Sequence, residues 1–504
     1  MSDTNNGNIK PTGAHTAKFA IVSLIGIALF MIPITLATGR GGDTETNIIL
    51  GHLINILRFD FSANLYFSYY APETSIWLPE GGGDCGNYPN PFALHYLLAL
   101  IAITVSFLGS VIAWIAKPKF IMDNERLKEV FHCNIIYLIS KFFGCLFIWL
   151  VFLSGFGVGA GVAPIEWVVH NFTGEVIAGL VSVLMIIFFI IVPFMPLITE
   201  FGLMEFIGVL IRKVVRALFT LPGRASVDLM ASWFGSSAAS IIITRGQHER
   251  GFYTGREASV IAVNFSFVSL PFTFVIANTM DLGEYFLWFY LVMCLTCVIL
   301  GLILPRFWPL KQLPDTYLEE VGKQITEDEK PEGVSMFNYA LENASKKAAT
   351  AKFSDVFKAA GRSYTNIYMD LIPIIMAWGT IGIMIAELTD IFDIIGKPFG
   401  WLMETVLRLD GAAEYGHLAL VGFIDMFLPA LMIGDVATIT VFVIGVLSIV
   451  QIIYMAETGV LIAKSKIPLG VGKLFIIFLM RTVLGLPIIV GLTHLFILIG
   501  ALSL

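Results

Sequence analysis

The sequence predicts an all-α integral membrane protein: about nine transmembrane helices plus two re-entrant hairpins in an inverted repeat. Three observations carry that expectation. Hydrophobic residues make up 57% of the chain and charged residues only 14%, against about 25% charged in an ordinary soluble protein. Residues 206–223 (FIGVLIRKVVRALFTLPG) align without a gap with residues 394–411 (IIGKPFGWLMETVLRLDG), and each copy precedes an apolar stretch broken by polar residues. Between the copies, the placement of Lys and Arg reverses the side on which the chain begins.

Apolar runs of roughly 18–25 residues cross about 30 Å of hydrocarbon as helices. Nine are read here, at 18–38, 92–115, 134–157, 175–199, 258–279, 285–304, 366–388, 437–457 and 474–497. Residues 1–17 are polar and too weakly basic for a secretion leader, so the first span is expected to remain as an anchor behind a cytoplasmic tail. Residues 39–91 form an external loop, in which Tyr66, Phe67, Tyr69, Tyr70 and Trp77 precede a GGGDCGNYPNP turn cluster. That loop is expected to lie as a cap on the membrane surface. The first three spans, within 18–174, stand outside the repeat and read as scaffold or as contact in a homo-oligomer.

With the N-terminus cytoplasmic and both interrupted stretches treated as hairpins, 25 of the 31 Lys and Arg residues lie on the cytoplasmic side. Arg40, Arg58, Lys397 and Arg408 fall outside, and Lys141 and Arg481 lie within spans. If 226–244 instead crossed as an ordinary helix, Arg245, Arg250, Arg256 and the basic linker would move outside, against the bias that orients membrane proteins. The hairpin reading is preferred. It makes 175–304 a first repeat with its hairpin at 226–244, and 366–504 a second with its hairpin at 415–434. One begins outside and the other inside. The cytoplasmic linker at 305–365 is charged and includes a helix over NYALENASKKAATAKFSDVFKAAG. Mirrored halves with interrupted spans are the pattern of secondary transporters, which expose one central site to either side in turn.

Each arm of the first hairpin, VDLMASWFGSSAASIIIT, is about nine residues long and reaches about 13 Å as helix, half the bilayer. Gly235, Ser236 and Ser237 then form a tip near the midplane. Small residues there admit a solute to backbone amides and hydroxyls; the plainer role is tight helix packing. The second hairpin, LALVGFIDMFLPALMIGD, brings Gly422, Asp425 and Pro429 to the same depth at an offset of 188 residues. A carboxylate at that depth marks an ion, proton or substrate site. Arg481, in the last span, is the candidate partner, and the duller alternative is that the two neutralise each other as a structural pair. The span after each hairpin is polar as well. Asn264, Ser266 and Ser269 precede Pro271, where the helix is expected to kink or unwind. Ser448 and Gln451 occupy the comparable stretch of the second repeat, with Glu457 at its inner end.

Other residues carry less. The helices at 206–221 and 394–409 are short and amphipathic and are expected to lie in the interface, the first with Arg212, Lys213 and Arg216 at anionic headgroups. His248 and His417 read as solvated surface residues. Cys294 and Cys297 have a CxxC spacing but sit in an apolar run with no second ligand pair nearby, so no metal site is assigned. No GxxxxGK[ST] loop occurs, which leaves an ATP-driven pump without an engine in this chain. No nucleophile–base pair or metal triad appears in the spans, so no catalytic residue and no enzyme activity are assigned, and no nucleic-acid partner is expected.

ASWFGSSAASIIITR with the polar span that follows, and GFIDMFLPALMIGD in the second half, resemble the nucleoside-recognition or Gate domain. That domain is shared by concentrative nucleoside transporters, the membrane part of the ferrous iron transporter FeoB and spore maturation membrane proteins. The whole chain most resembles the YjiH-like branch of bacterial Gate-domain proteins. The resemblance covers roughly 175–500 and implies a bundle in which hairpin tips and unwound spans surround a solute site, often with a coupling cation. The acid and amide set that holds ribose and base in nucleoside transporters has no match here. No GTPase accompanies the repeat, and no cysteine lies at either tip. The expectation is therefore a bacterial inner-membrane carrier of a small polar solute, nucleoside-like or amino-acid-like, coupled to a proton or sodium ion and needing no cofactor. Its motion would be a rigid displacement of one hairpin-bearing unit against a scaffold. The rival expectation is a non-transporting Gate protein that serves as an assembly or regulatory platform.

Overall fold

A computed structural model describes residues 12–31, 33–37, 44–49, 94–154, 162, 165, 168–169, 174–219, 221–235, 237–318, 322, 333–389, 391–455, 457–463 and 465–502. Helix α1 (Gly13–Met31) leads into an antiparallel ribbon of β1 (Pro33–Ala37) and β2 (Thr44–Ile48), in register from Pro33–Ile48 to Ala37–Thr44. Next come α2 (Leu94–Ile115), α3 (Lys119–Met122), α4 (Glu125–Phe131), α5 (Ile135–Ser154) and α6 (Gly174–Ile191). The chain continues through α7 (Met195–Thr199), α8 (Leu203–Phe219), α9 (Ala225–Met230), α10 (Ser237–Glu249), α11 (Gly255–Asn264), α12 (Leu270–Thr279) and α13 (Phe286–Ile303). The linker forms α14 (Met336–Thr350) and α15 (Phe353–Asn366), followed by α16 (Ile372–Leu388) and α17 (Ile391–Trp401). Last are α18 (Leu418–Val421), α19 (Leu428–Met432), α20 (Thr438–Val450), α21 (Thr458–Ala463) and α22 (Val471–Leu498). Wider π-helical turns occupy Ala231–Gly235, Ile367–Leu371 and Leu402–Val406.

Two compact units divide the chain: His52–Val192 with Ala359–Ile394, and Met1–Gly51 with Pro193–Lys358 and Ile395–Leu504. In the first unit α2, α5, α6 and α16 pack together. A Cβ on Gly144 would fall 2.3 Å from the carbonyl oxygen of Pro373, so the backbones of α5 and α16 meet there with no side chain between them. The ammonium of Lys141 is buried, pairs with Asp370 at 2.7 Å and donates to Ser110 Oγ and Val130 O. On α2, Ile101, Val105, Leu108 and Ile112 form an exposed apolar stripe, whereas Leu100, Ile103, Ser106 and Ser110 face inward. A stripe of that length turned outward suits hydrocarbon rather than water.

Among the described residues, six helical stretches are long and apolar enough to cross a bilayer: Tyr96–Ile115, Tyr137–Ser154, Ile177–Leu197, Gly283–Arg306, Phe353–Ile385 and Val471–Leu498. Together they make this an all-α multi-pass membrane protein with one short ribbon. They coincide with six of the nine expected spans. The other three differ for identifiable reasons. The run expected at 18–38 is helical only to Met31, because Pro33 ends the helix and Ile34 and Thr35 favour the extended ribbon. The runs at 258–279 and 437–457 are interrupted: α11 stops at Asn264 and α12 starts at Leu270, and α20 stops at Val450 before α21 starts at Thr458.

The linker is more fully built into the fold than a strap between repeats. Ala340, Ala344 and Ala348, four residues apart, are buried on the face of α14 that packs against α1 and α8. Gly202, at φ +101°, lets the chain approach within 2.5 Å, measured from its Cβ position, of Ala344 O. Lys18 Nζ donates to Ala348 O and Ala351 O, which satisfies carbonyls that the end of α14 leaves open. The external loop expected at 39–91 lies outside the described residues apart from 44–49.

Candidate functional site

The chain runs twice through one series of elements, and most of each series belongs to the second unit. In order these are a short amphipathic helix (α8; α17), a helical hairpin (α9 and α10; α18 and α19), an interrupted helix (α11 and α12; α20 and α21) and a closing helix (α13; α22). The arms of each hairpin pack on each other. The first hairpin's second arm runs on to Glu249, five residues past the expected end, and Arg245 and Glu249 pair at 2.8 Å along the added turn.

Each hairpin tip rests on the interruption of its own repeat. Ser232 Oγ donates to Phe267 O at 2.6 Å, and Met455 N donates to Phe423 O at 2.8 Å. Phe267 and Met455 are 188 residues apart, the offset of the aligned helices. Each hairpin also reaches the other repeat: α10 packs on α21, and α19 packs on α12, where the rings of Phe272 and Phe427 meet edge to face at 5.8 Å. The crossed contacts are therefore equivalent pairs under the repeat.

Ser237 is the first residue of α10, and its hydroxyl donates to Glu457 Oε1 at 2.8 Å. A carboxylate at a helix N-terminus is favoured by the unpaired N–H groups and the dipole there. Gly235 closes the π-helical turn before this point, and Ser236 lies outside the described residues. Glu457, expected at the inner end of a span, instead lies in the interruption, immediately before α21.

Asp425 sits in the second tip between α18 and α19, 5% exposed, with Oδ1 accepting from Phe427 N at 2.7 Å. This local turn, rather than Arg481, holds that oxygen. Arg481 is wholly buried and points elsewhere. Its Nε donates to Val450 O at 2.8 Å and its Nη1 to Val263 O at 3.1 Å and Asn264 Oδ1 at 2.9 Å, and Nη2 lies 3.9 Å from Cys297 Sγ. The expected Asp425–Arg481 pair does not form. The guanidinium instead joins the C-terminal ends of α11 and α20.

Gln451 caps the end of α20. Its Nε2 donates to Ala419 O at 2.7 Å and Thr482 Oγ1 at 2.8 Å, which ties the first arm of the second hairpin to α22. Its Oε1 is buried without a hydrogen bond and faces Gly422, where a Cβ would fall 2.1 Å away. Gly422 is thus a close-approach residue beside Gln451. Pro429 is the buried second residue of α19, where its missing N–H costs no helical bond. Ser266 is buried in the first interruption with its hydroxyl unpaired, and Ser269 stands at the mouth of α12. Ser448 turns its hydroxyl back to Gly445 O on its own helix.

Sequence reasoning passed over the residues that hold the second interruption open. Ile452 has φ +62°, a costly conformation for a β-branched residue. Tyr454 Oη accepts from Ile452 N and donates to Ile449 O, while Thr458 Oγ1 accepts from Tyr454 N and donates to Ile452 O. In this way backbone groups removed from the helix ladder are satisfied without water, as apolar surroundings demand. The polar run QIIYMAETG was the available signal. His248, expected to be solvated, is 2% exposed with Nδ1 on Tyr253 O at 2.9 Å, and Tyr253 Oη donates to the buried Asp228 at 2.5 Å. A histidine and an acid on the two arms of one hairpin could not be matched before the fold placed Tyr253 between them.

Paired hairpins resting on paired interrupted helices, with charges and amides at the breaks, define a multi-pass membrane protein of transporter type. Residues 180–282 match the nucleoside-recognition (Gate) family. Over 489 residues the chain is 38% identical to an uncharacterized protein of Alkalihalophilus pseudofirmus, covering 96% of either chain. The chain belongs to the Gate family of membrane proteins, which is found in nucleoside transporters and related membrane proteins. No protein of solved structure matches it.

Proposed function

We propose that the protein is a cation-coupled secondary transporter of a small polar organic solute, nucleoside-like or amino-acid-like, working by alternating access in the bacterial inner membrane. Its two hairpins enter the bilayer from opposite faces as an inverted repeat, with the N-terminus cytoplasmic. The observation that carries this reading is the crossed arrangement, in which Ser237 of one hairpin holds Glu457 beside the other repeat's broken helix. Polar tips and interrupted helices inside an apolar bundle are tolerated where they line a solute path. Asn264, Ser266, Ser269, Gln451 and the tip residues Gly235 and Ser237 line that path in this reading. Asp425 is the coupling group, because its carboxylate is buried at a tip without a cationic partner among its hydrogen bonds.

The test begins with a thermal-shift screen of nucleosides, amino acids and organic acids on the purified protein. A ligand at 100 times its Kd adds about 2.7 kcal/mol of stability. Solutes that raise Tm are then offered to proteoliposomes under proton and sodium gradients. Asp425→Asn is expected to abolish gradient-driven uptake while leaving the protein folded, and normal uptake by that variant removes Asp425 from the mechanism. No response across the panel, together with a stable co-purifying protein, favours the platform role instead.

A further inference from the structure

The partners of Arg481 carry an inference beyond solute binding. All its hydrogen-bonded oxygens belong to the two interrupted helices: Val263 O and Asn264 Oδ1 at the end of α11, and Val450 O at the end of α20. No carboxylate is among them. A helix C-terminus carries roughly half a negative charge on its unpaired carbonyls. Two such ends meeting at one point present about one unit of negative charge, which a single guanidinium balances. Arginine keeps its charge in any protein setting and offers five donors in a rigid fork, so it spans two backbones where an ammonium reaches one. The repeat offset maps Arg481 onto Met293, an uncharged residue of α13, so one side chain serves both halves.

In carriers built on interrupted helices, half-helix C-terminal ends and unwound carbonyls are where sodium ions or protons are held. We propose that Arg481 is a resident cation that fills this position permanently, so that the protein has no sodium site at its half-helix ends and its solute movement is sodium-independent. The inference deepens the transport reading and rests on it for that last consequence. The second tip and the second break hold the carboxylates Asp425 and Glu457, and in this reading proton binding at one of them drives transport.

The charge itself is tested on purified full-length protein without any transported solute. Replacing sodium by choline is expected to leave the wild-type Tm unchanged. Arg481→Ala should lower Tm by about 5 °C or more, since two buried helix ends lose their counter-charge. Low-millimolar guanidinium should recover part of that loss, whereas urea, of the same planar shape but neutral, should recover none. Equal recovery by the two would mean that Arg481 only fills space. A saturable rise of wild-type Tm with sodium would also overturn the proposal. If Arg481→Ala does not fold, Arg481→Lys decides: it is expected to melt below wild type yet show no sodium dependence, and a wild-type Tm or a sodium response counts against it. Failure of uptake with every solute, alongside guanidinium-specific recovery, removes the transport reading and leaves the resident cation in place.

Discussion

Ser237 donates its hydroxyl to Glu457 at 2.8 Å, and this one bond joins the tip of the first hairpin to the interrupted helix of the second repeat. The two residues are 220 positions apart in the chain. The bond lies at the N-terminus of α10, where a carboxylate is stabilised by the exposed amides, so it links the position of the hairpin to the charge state of Glu457. Crossed by the packing of α19 on α12, it makes the two hairpins one interlocked body.

A double-mutant cycle measures that link. A hydrogen bond to a charged group contributes about 1.5–3 kcal/mol. Ser237→Ala and Glu457→Gln should each lower the melting temperature in detergent. The double variant should cost less than the two losses added together, with a coupling of about 1 kcal/mol or more. Strict additivity would show that the contact contributes nothing to the fold.

Gly422→Ala tests the close approach at the second tip. The new methyl would lie 2.1 Å from Gln451 Oε1, and the Gln451 side chain is held at its other atom by Ala419 and Thr482. Because the amide has no free rotation, the clash should cost about 1–3 kcal/mol. Gln451→Ala in the same background should recover the part due to the clash. A neutral Gly422→Ala would place the tip further from Gln451 than the structure does.

The Lys141–Asp370 pair gives an asymmetric expectation in the other unit. Lys141 is fully buried, whereas Asp370 is a third exposed. Asp370→Ala leaves an ammonium buried with two neutral acceptors and should cost about 3 kcal/mol or more, while Lys141→Met puts an apolar chain of similar length into apolar surroundings and should cost less. Thermal unfolding of the two variants at neutral pH checks the order. Equal costs would mean that the charge on Lys141 is solvated.

Much of the architecture was legible because membrane burial depends on local composition. A run such as 474–497 reads as a helix from its own composition, since a single segment in hydrocarbon satisfies its N–H and C=O groups within itself only as a helix. The likeness of 206–223 to 394–411 was visible for a similar reason: the amphipathic pattern of α8 and α17 survives in the gapless alignment. The break before Pro271 was also readable, because proline withdraws a donor at a known place. The break at 451–457 was not. Its cause is spread over Tyr454, Thr458 and a left-handed Ile452, none of which is a helix breaker in isolation.

The sequence by itself determined that this chain lives in a bilayer, which runs are apolar enough to cross it, and that polar residues recur within several of those runs. Hydrophobic periodicity and charge placement are local properties, and they need no knowledge of neighbours. Only the tertiary structure decided which polar groups meet. Charge pairing read along the chain matched Arg481 with Asp425, yet the guanidinium lies on the carbonyls of α11 and α20 and the carboxylate in its own turn. Backbone carbonyls at the end of an interrupted helix carry no letter in the sequence, and their negative charge exists only once the helices have been broken and brought together.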